Sequence, residues 1–413
     1  MIDFELSDQT RNARKMTHMV AEQMMRPISR HCDENEHEKP WDFINAMWNV
    51  SKSTSMTGSS NDGKSKEAKE EKKAEGRTLA MVMAVEELCW GDVGLYLSIP
   101  NPGLGGAAVA AAGTPEQKER FLARFKGDKP TWGAMAITEP SAGSDSAAIQ
   151  ATARREGDHW VLNGTKIFCT SGLMAAEKSE GFVVVWASLD RSAGRGGIRA
   201  FVVDAGTPGM YVTKVEEKLG IRASDTATIV LEDCKVPLDN ILGSAEIPKE
   251  KSSQGFKGVM ATFDATRPIV AASALGVARA ALDFTRDTLK EHGIEVRYGA
   301  PPQTLTVLER DFMEMEAQVQ AARLLTWRAA WMIDQGIKNN LEASMCKAKA
   351  GLVVTWVTQK AVELLGPLGY SREHLVEKWM RDAKISDIYE GTQQINQLII
   401  ARRILGYSSE ALR

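Results

Sequence analysis

The spacing of apolar residues changes twice along this 413-residue chain, and that double switch limits the fold more than any other feature. Through the first 130 residues the pattern is helical: Thr78 to Trp90 sets Leu79, Val82, Met83, Val85, Leu88 and Cys89 close to helical spacing. Thr114-Pro115-Glu116-Gln117 puts threonine at an N-cap and proline at the first helical position, which predicts a helix through Phe125. From about Thr131 to Leu242 the pattern is strand-like. Phe182 to Trp186 and Ala200 to Val203 are buried β-branched runs, Thr226 to Leu231 has strand propensity, and glycines and prolines punctuate the region. From about Gly255 helices return: Ile269, Ala272, Leu275, Ala278 and Leu282 share one face, then Phe312, Met315 and Val319, then Val353, Val357, Ala361 and Leu364. Long helices joined by short turns predict a bundle. The expected division is therefore a helical domain over 1–130, a β-domain over 131–245 and a helical bundle over 246–413.

Composition removes several function classes. The 51 basic and 54 acidic residues leave a net charge of −3, so no basic excess exists to hold nucleic acid. Cys32, Cys89, Cys169, Cys234 and Cys346 are scattered without metal-ligand spacing and read as reduced thiols, with no metal expected. Apolar runs such as Thr78 to Val85 are broken by Glu86 and Glu87, so no membrane insertion is expected. The acidic start, Met1-Ile2-Asp3-Phe4-Glu5, resembles neither a secretory signal nor an Arg-rich transit peptide. A bacterial cytoplasmic enzyme is the expectation, and a mature organellar form with its presequence removed also fits. Between Ser51 and Gly76 the chain is Ser, Gly, Lys and Glu with no apolar face, which reads as a mobile surface insertion.

One carboxylate stands out near the C-terminus. Glu390 sits beside Gly391, just ahead of a helical pattern carried by Ile395, Leu398, Ile399 and Leu405. That puts an acid in a loop at a helix start, with unbonded amide donors alongside. Such a pairing suits proton abstraction next to a carbonyl, the carboxylate taking the proton while an N–H steadies the oxyanion. An ordinary capping loop would carry the same residues, so this segment alone leaves both readings open.

The segment from Met380 to Ile395 also resembles the catalytic segment of the acyl-CoA dehydrogenase flavoprotein family. Ala136-Ile137-Thr138-Glu139-Pro140-Ser141-Ala142-Gly143-Ser144-Asp145 is similar to the family's first signature, and Asn163-Gly164-Thr165-Lys166-Ile167-Phe168-Cys169-Thr170-Ser171-Gly172 to its second. Lys218 to Thr226, Asp233 to Pro237 and Phe263 to Pro268 follow in the family's order. The resemblance implies an α+β, acyl-CoA dehydrogenase-like fold: N-terminal helical domain, central β-domain and C-terminal four-helix bundle, with the flavin between the last two. It further implies a homotetramer built as a dimer of dimers. The family's short Pro-Glu-aromatic-Gly-Gly turn is missing where the 51–76 insertion stands.

The implied reaction is α,β-dehydrogenation of an acyl-CoA thioester to a trans-2-enoyl-CoA. A base removes the pro-R α-proton while a hydride leaves the β-carbon for N5 of FAD, and the electrons pass to an electron-transferring flavoprotein. No side chain accepts a hydride, so a redox cofactor is required. By resemblance Glu390 is the base, with its own backbone N–H and a flavin ribosyl hydroxyl polarising the thioester. Some family members carry the base at the position of Thr266, and threonine cannot serve there. Met135, Ile137, Thr138, Gly143, Ser144, Phe168, Cys169 and Thr170 match flavin-binding positions, as do Thr392 and Gln394 at a helix N-terminus suited to anionic groups. Ser144, Asp264, Arg267 and Gly391 match substrate-side positions, although Asp264 and Arg267 would equally form a structural i,i+3 ion pair. Phe168 stands where many relatives have tryptophan, keeping an aromatic face and losing the indole N–H.

Two cofactor segments depart from the family pattern. Glu295-Val296-Arg297-Tyr298-Gly299 stands for an Arg-x-x-Phe-Gly element with its arginine displaced, and Arg297 is expected to pair with the pyrophosphate by a different path. Glu363-Leu364-Leu365-Gly366 stands for a Gln-x-x-Gly-Gly element, where Glu363 near a pyrophosphate is unfavourable unless it points to ribose or adenine or has a cationic partner, and Gly366 lies at the turn. Two other functions stay open: an acyl-CoA oxidase, whose usual longer C-terminal region is missing, and a subunit of a heteromeric dehydrogenase. Straight-chain, branched, aromatic and polycyclic acyl groups are all compatible with the sequence.

Overall fold

The structure, a computed structural model, describes residues 6–53, 76–247 and 254–407. Helices α1 (Asp8–Val20), α2 (Arg26–Glu34), α3 (Trp41–Ser53), α4 (Arg77–Gly91), α5 (Val93–Ser98), α6 (Gly103–Ala112) and α7 (Pro115–Leu122) come first. The polar segment expected over 51–76 begins later, because residues 51–53 still belong to α3, and most of it lies outside the described residues. Thr114 and Gln117 form a reciprocal capping box at α7. Gly76 offers α4 no side-chain cap. Asp334, from the far end of the chain, supplies it by accepting from the Thr78 and Leu79 N–H groups at 2.8 and 3.0 Å.

Strands β1 (Gly133–Ala136), β2 (Thr152–Glu156), β3 (His159–Thr170), β4 (Phe182–Ser188), β5 (Ile198–Asp204), β6 (Met210–Val215) and β7 (Thr226–Pro237) form one sheet in the order β1-β4-β2-β3-β7-β6, with β5 also pairing β4. The continuous apolar run of β4 is explained by its position: every residue is buried. Val183, Val185 and Ala187 face a core shared with Met25 and Leu88, while Phe182, Val184 and Trp186 face another with Val109, Phe121 and Phe125. A strand buried on both faces loses the polar alternation of an exposed one.

Helices α8 (Gln254–Glu291), α9 (Val307–Asp334), α10 (Asn340–Leu365), α11 (Val376–Ala383) and α12 (Gln393–Leu405) form the C-terminal part. Ala272, Leu275, Ala278 and Leu282 of α8 join Phe312, Met315 and Val319 of α9 and Val353, Val357 and Ala361 of α10 in one core, which α4 completes with Val82 and Val85. Each large apolar side chain there contributes roughly 1.5–3 kcal/mol on leaving water. α8 is apolar and long enough by composition to cross a membrane, but 72% of its most apolar window is buried in the fold, as in a core helix.

The β-domain docks on this bundle at Gly220. A Cβ there would stand 2.5 Å from the Arg381 carbonyl and the Asp382 amide of α11, so only glycine allows the approach. Beside it the Ile221 N–H donates to Asp382 Oδ1 at 2.6 Å. Buried Lys378 bridges Asp382 at 2.6 Å and Asp92, the N-cap of α5, at 2.7 Å. One ammonium thus ties α11 to the N-terminal helices, and α11 leads directly to Glu390.

Candidate active site

Glu390 and Gly391 both take positive φ, +50° and +95°, immediately before Thr392 caps α12 by accepting the Ile395 N–H. A glutamate in this region costs about 1–3 kcal/mol, so the surroundings must hold it. They do so from three helices. Thr266 of α8 donates to Glu390 Oε2 at 2.7 Å. Lys347 of α10 and Asn396 of α12 both donate to the Gly391 carbonyl, at 2.6 and 2.8 Å. Tyr389, one residue earlier, lies 3.3 Å from the Ser273 hydroxyl.

The electrostatics suit a base. Burial is the largest influence on Glu390 and lifts its pKa above the ordinary glutamate value. The Thr266 hydrogen bond, then the charges of Arg267 and Lys347, pull the other way. Burial likewise pushes the Tyr389 hydroxyl up to about 12 and draws Lys347 down to about 8. Arg267 is almost fully buried and holds Asp264 at 2.8 Å, an ion pair one turn apart. Pro268 leaves the Asp264 carbonyl without its helical donor, and the Asn339 side chain approaches it at 3.5 Å.

A second group lies on the β-domain. The β3–β7 pairing shifts register between Lys166 and Cys169, and the bulge turns Phe168 outward at φ +57°, with 61% of it exposed. Thr170 pairs with Thr226, and the Thr138 carbonyl accepts from Ile167 at 2.9 Å. Ser144 is exposed, and a Cβ on Gly143 would meet nothing within 4 Å. Beneath this surface Lys166, fully buried, pairs with Glu139 at 2.6 Å, joining the first two sequence segments. Among the described residues, the five non-glycine positive-φ positions are Phe168, Ser171, Ile221, Asp233 and Glu390, and each lies in one of the six segments.

Residues 7–127, 134–234 and 253–405 match, in turn, the N-terminal, middle and C-terminal domains of acyl-CoA dehydrogenase. The chain belongs to the acyl-CoA dehydrogenase family. A short-chain specific acyl-CoA dehydrogenase of Clostridium acetobutylicum is 37% identical over 98% of this chain and 100% of its own length. Butyryl-CoA dehydrogenase from Megasphaera elsdenii superposes with a TM-score of 0.83 at 33% identity, covering 98% of this chain and 100% of that one. A chain from a study of the electron-transferring flavoprotein of Acidaminococcus fermentans gives the same score, identity and coverage.

Acyl-CoA dehydrogenases use FAD, and the residues present fit it. Around the start of α12 three buried polar atoms, Arg267 Nε, Gln393 Oε1 and Asn396 Oδ1, have no hydrogen-bond partner among the described residues. Buried orphans of this kind are what a bound polar group satisfies. The outward Phe168 ring offers an exposed aromatic face, and the Gly143 turn is open where a Cβ would stand.

Not every residue matched to the acyl-CoA dehydrogenase site projects into open space. Met135, Ile137 and Cys169 are buried, and the Cys169 thiol donates to the Met135 carbonyl at 3.4 Å. Arg297 is turned back on its own segment: Nε and Nη2 each donate to Glu309 at 2.7 Å, and Nη2 also bonds the Thr304 carbonyl. Glu363 is exposed and pairs with Lys360 at 3.0 Å, three residues earlier on the same helix. Gly366 ends α10 at φ +54°, and Gln394 is exposed on the first turn of α12. Lys347, Asn396, Tyr389 and the Glu139–Lys166 pair were not singled out by sequence reasoning. The available signal was a lysine at 347 on the small-residue stripe of Ala343, Ala350 and Gly351.

Proposed function

We propose that this enzyme dehydrogenates a short-chain acyl-CoA to the trans-2-enoyl-CoA, with Glu390 as the base. The observation that carries it is a carboxylate of raised pKa on a left-handed turn at a helix start, aimed by Thr266. Glu390 takes the α-proton, and its backbone N–H steadies the thioester oxygen as charge develops there. The bound flavin supplies the hydride acceptor. Thr138, Ser144, Phe168 and Thr170 hold the ring, while Thr392 and Gln394 present the α12 N-terminus to its anionic portion. Arg267 and Asp264 form the substrate-side wall with Gly391. The short acyl chain is supported by the names of the Clostridium and Megasphaera relatives, and electron-transferring flavoprotein as acceptor by the Acidaminococcus work. Exposed Leu352, Leu398, Ile404 and Leu405 on α10 and α12 support assembly as a homotetramer.

Anaerobic flavin bleaching with acyl-CoAs of graded length tests this reading. Fast bleaching with four-carbon and neighbouring chains is expected, and none with any acyl-CoA would overturn it. A second reading, a subunit of a heteromeric enzyme, is favoured by the engagement of Arg297 with Glu309. It predicts that the purified homo-oligomer carries no flavin.

Thr266→Val removes a hydrogen bond that favours the ionised form of Glu390. The carboxylate pKa should rise further, so the acid limb of the kcat/KM profile should move to higher pH. Turnover at neutral pH should fall roughly fivefold. An acid limb that stays in place would contradict the assignment.

A further inference from the structure

Lys347 has no packing reason to be where it is. It is 1% exposed on α10, in line with Ala343, Ala350 and Gly351, a position that an aliphatic side chain would fill without taking a charge out of water. Among the described residues its one hydrogen-bond acceptor is the Gly391 carbonyl, 2.6 Å away. Asn396 occupies the same oxygen at 2.8 Å. Donors from two different helices thus hold the Gly391–Thr392 peptide, immediately after the positive-φ turn at Glu390 and Gly391.

We propose that Lys347 is a positioning residue that fixes the Glu390 turn through the Gly391 carbonyl and places a positive charge beside it. The inference rests on Glu390 being the base. The other groups around that carboxylate are Arg267 and Asp264 from α8, Tyr96 from α5, Cys346 beside Arg267 from α10, and Tyr389 and Asp387 from its own segment. Arg267 is committed to Asp264, so its charge is already shared. Lys347 instead directs its charge at Glu390 and Asp387, with burial drawing it down to about 8. Its charge is among those that lower the pKa of Glu390, against the larger effect of burial.

The test compares Lys347→Met, Lys347→Gln and Lys347→Arg in the flavin-loaded oligomer. The Glu390 carboxyl is titrated directly by pH-difference infrared spectroscopy, its band assigned by its loss in Glu390→Gln, so no turnover is needed. In Lys347→Met the carboxyl should titrate at higher pH than in the parent, with kcat at neutral pH reduced about threefold and KM within about twofold. Lys347→Arg should restore the parent titration. If Lys347→Met fails to fold, Lys347→Gln, which keeps a donor and loses the charge, decides the same titration. A parent-like titration in the neutral variants overturns the proposal. If no acyl-CoA bleaches the parent, the functional reading fails, while the infrared titration still reports on Lys347.

Discussion

Glu390→Gln should abolish anaerobic bleaching, lowering its rate by about 10²–10⁴-fold, while the acyl-CoA dissociation constant stays within a few-fold of the parent. The amide preserves the shape of the side chain, and its oxygen still accepts from Thr266, so the positive-φ turn survives. What is lost is the group that takes the proton. Lys347 and Asn396 continue to hold Gly391, which keeps the pocket wall in place. Stopped-flow bleaching gives the rate, and the spectral perturbation on titrating acyl-CoA gives the affinity. Bleaching within tenfold of the parent would remove Glu390 from the role of base. Weak binding with a normal rate at saturation would instead assign it to substrate recognition.

The architecture was legible because the apolar period reports burial directly. β4 reads as an unbroken apolar run since it is covered on both faces, and α8 reads as a helix since its apolar stripe faces α9 and α10. The docking of the β-domain was not legible. Gly220 and Lys378 matter through contacts with residues more than 150 positions away in sequence, and no local pattern encodes those.

The same division runs through the candidate site. Asp264 and Arg267 are one helical turn apart, so their pairing follows from spacing alone. Lys347 and Asn396 meet on one carbonyl from different helices, which only the tertiary fold arranges. Arg297 is expected at the pyrophosphate, whereas its guanidinium is held by Glu309, the N3 residue of a capping box with Thr306. That box is visible in the sequence. A glutamate fixed at a helix start twelve residues on offers Arg297 a partner already in place.

Breaking the pair of Lys166 and Glu139 should have the largest effect on stability. Lys166→Met leaves Glu139 a buried carboxylate served only by the Gln150 and Ala151 N–H groups, at 2.5 and 3.0 Å. Removing one partner of a buried pair costs about 3–5 kcal/mol, because the remaining charge has no counterion and no access to water. Those two backbone bonds place the expected loss near the lower end, about 3 kcal/mol. The double variant Lys166→Met/Glu139→Gln should recover much of it, since no unpaired charge then remains and the amide oxygen still accepts the backbone N–H groups. Burial already disfavours the charged Lys166, whose pKa lies below the ordinary lysine value in spite of Glu139, so the pair itself adds little net stability. Because the pair joins the strand leading to Thr138 with the strand leading to Phe168 and Thr170, Lys166→Met should also lower the flavin content of the purified protein. Urea unfolding followed by tryptophan fluorescence measures the first effect, and the ratio of flavin to protein absorbance the second. A single variant with an unchanged midpoint, or a double variant less stable than the single, would show that Glu139 is not held as a buried anion.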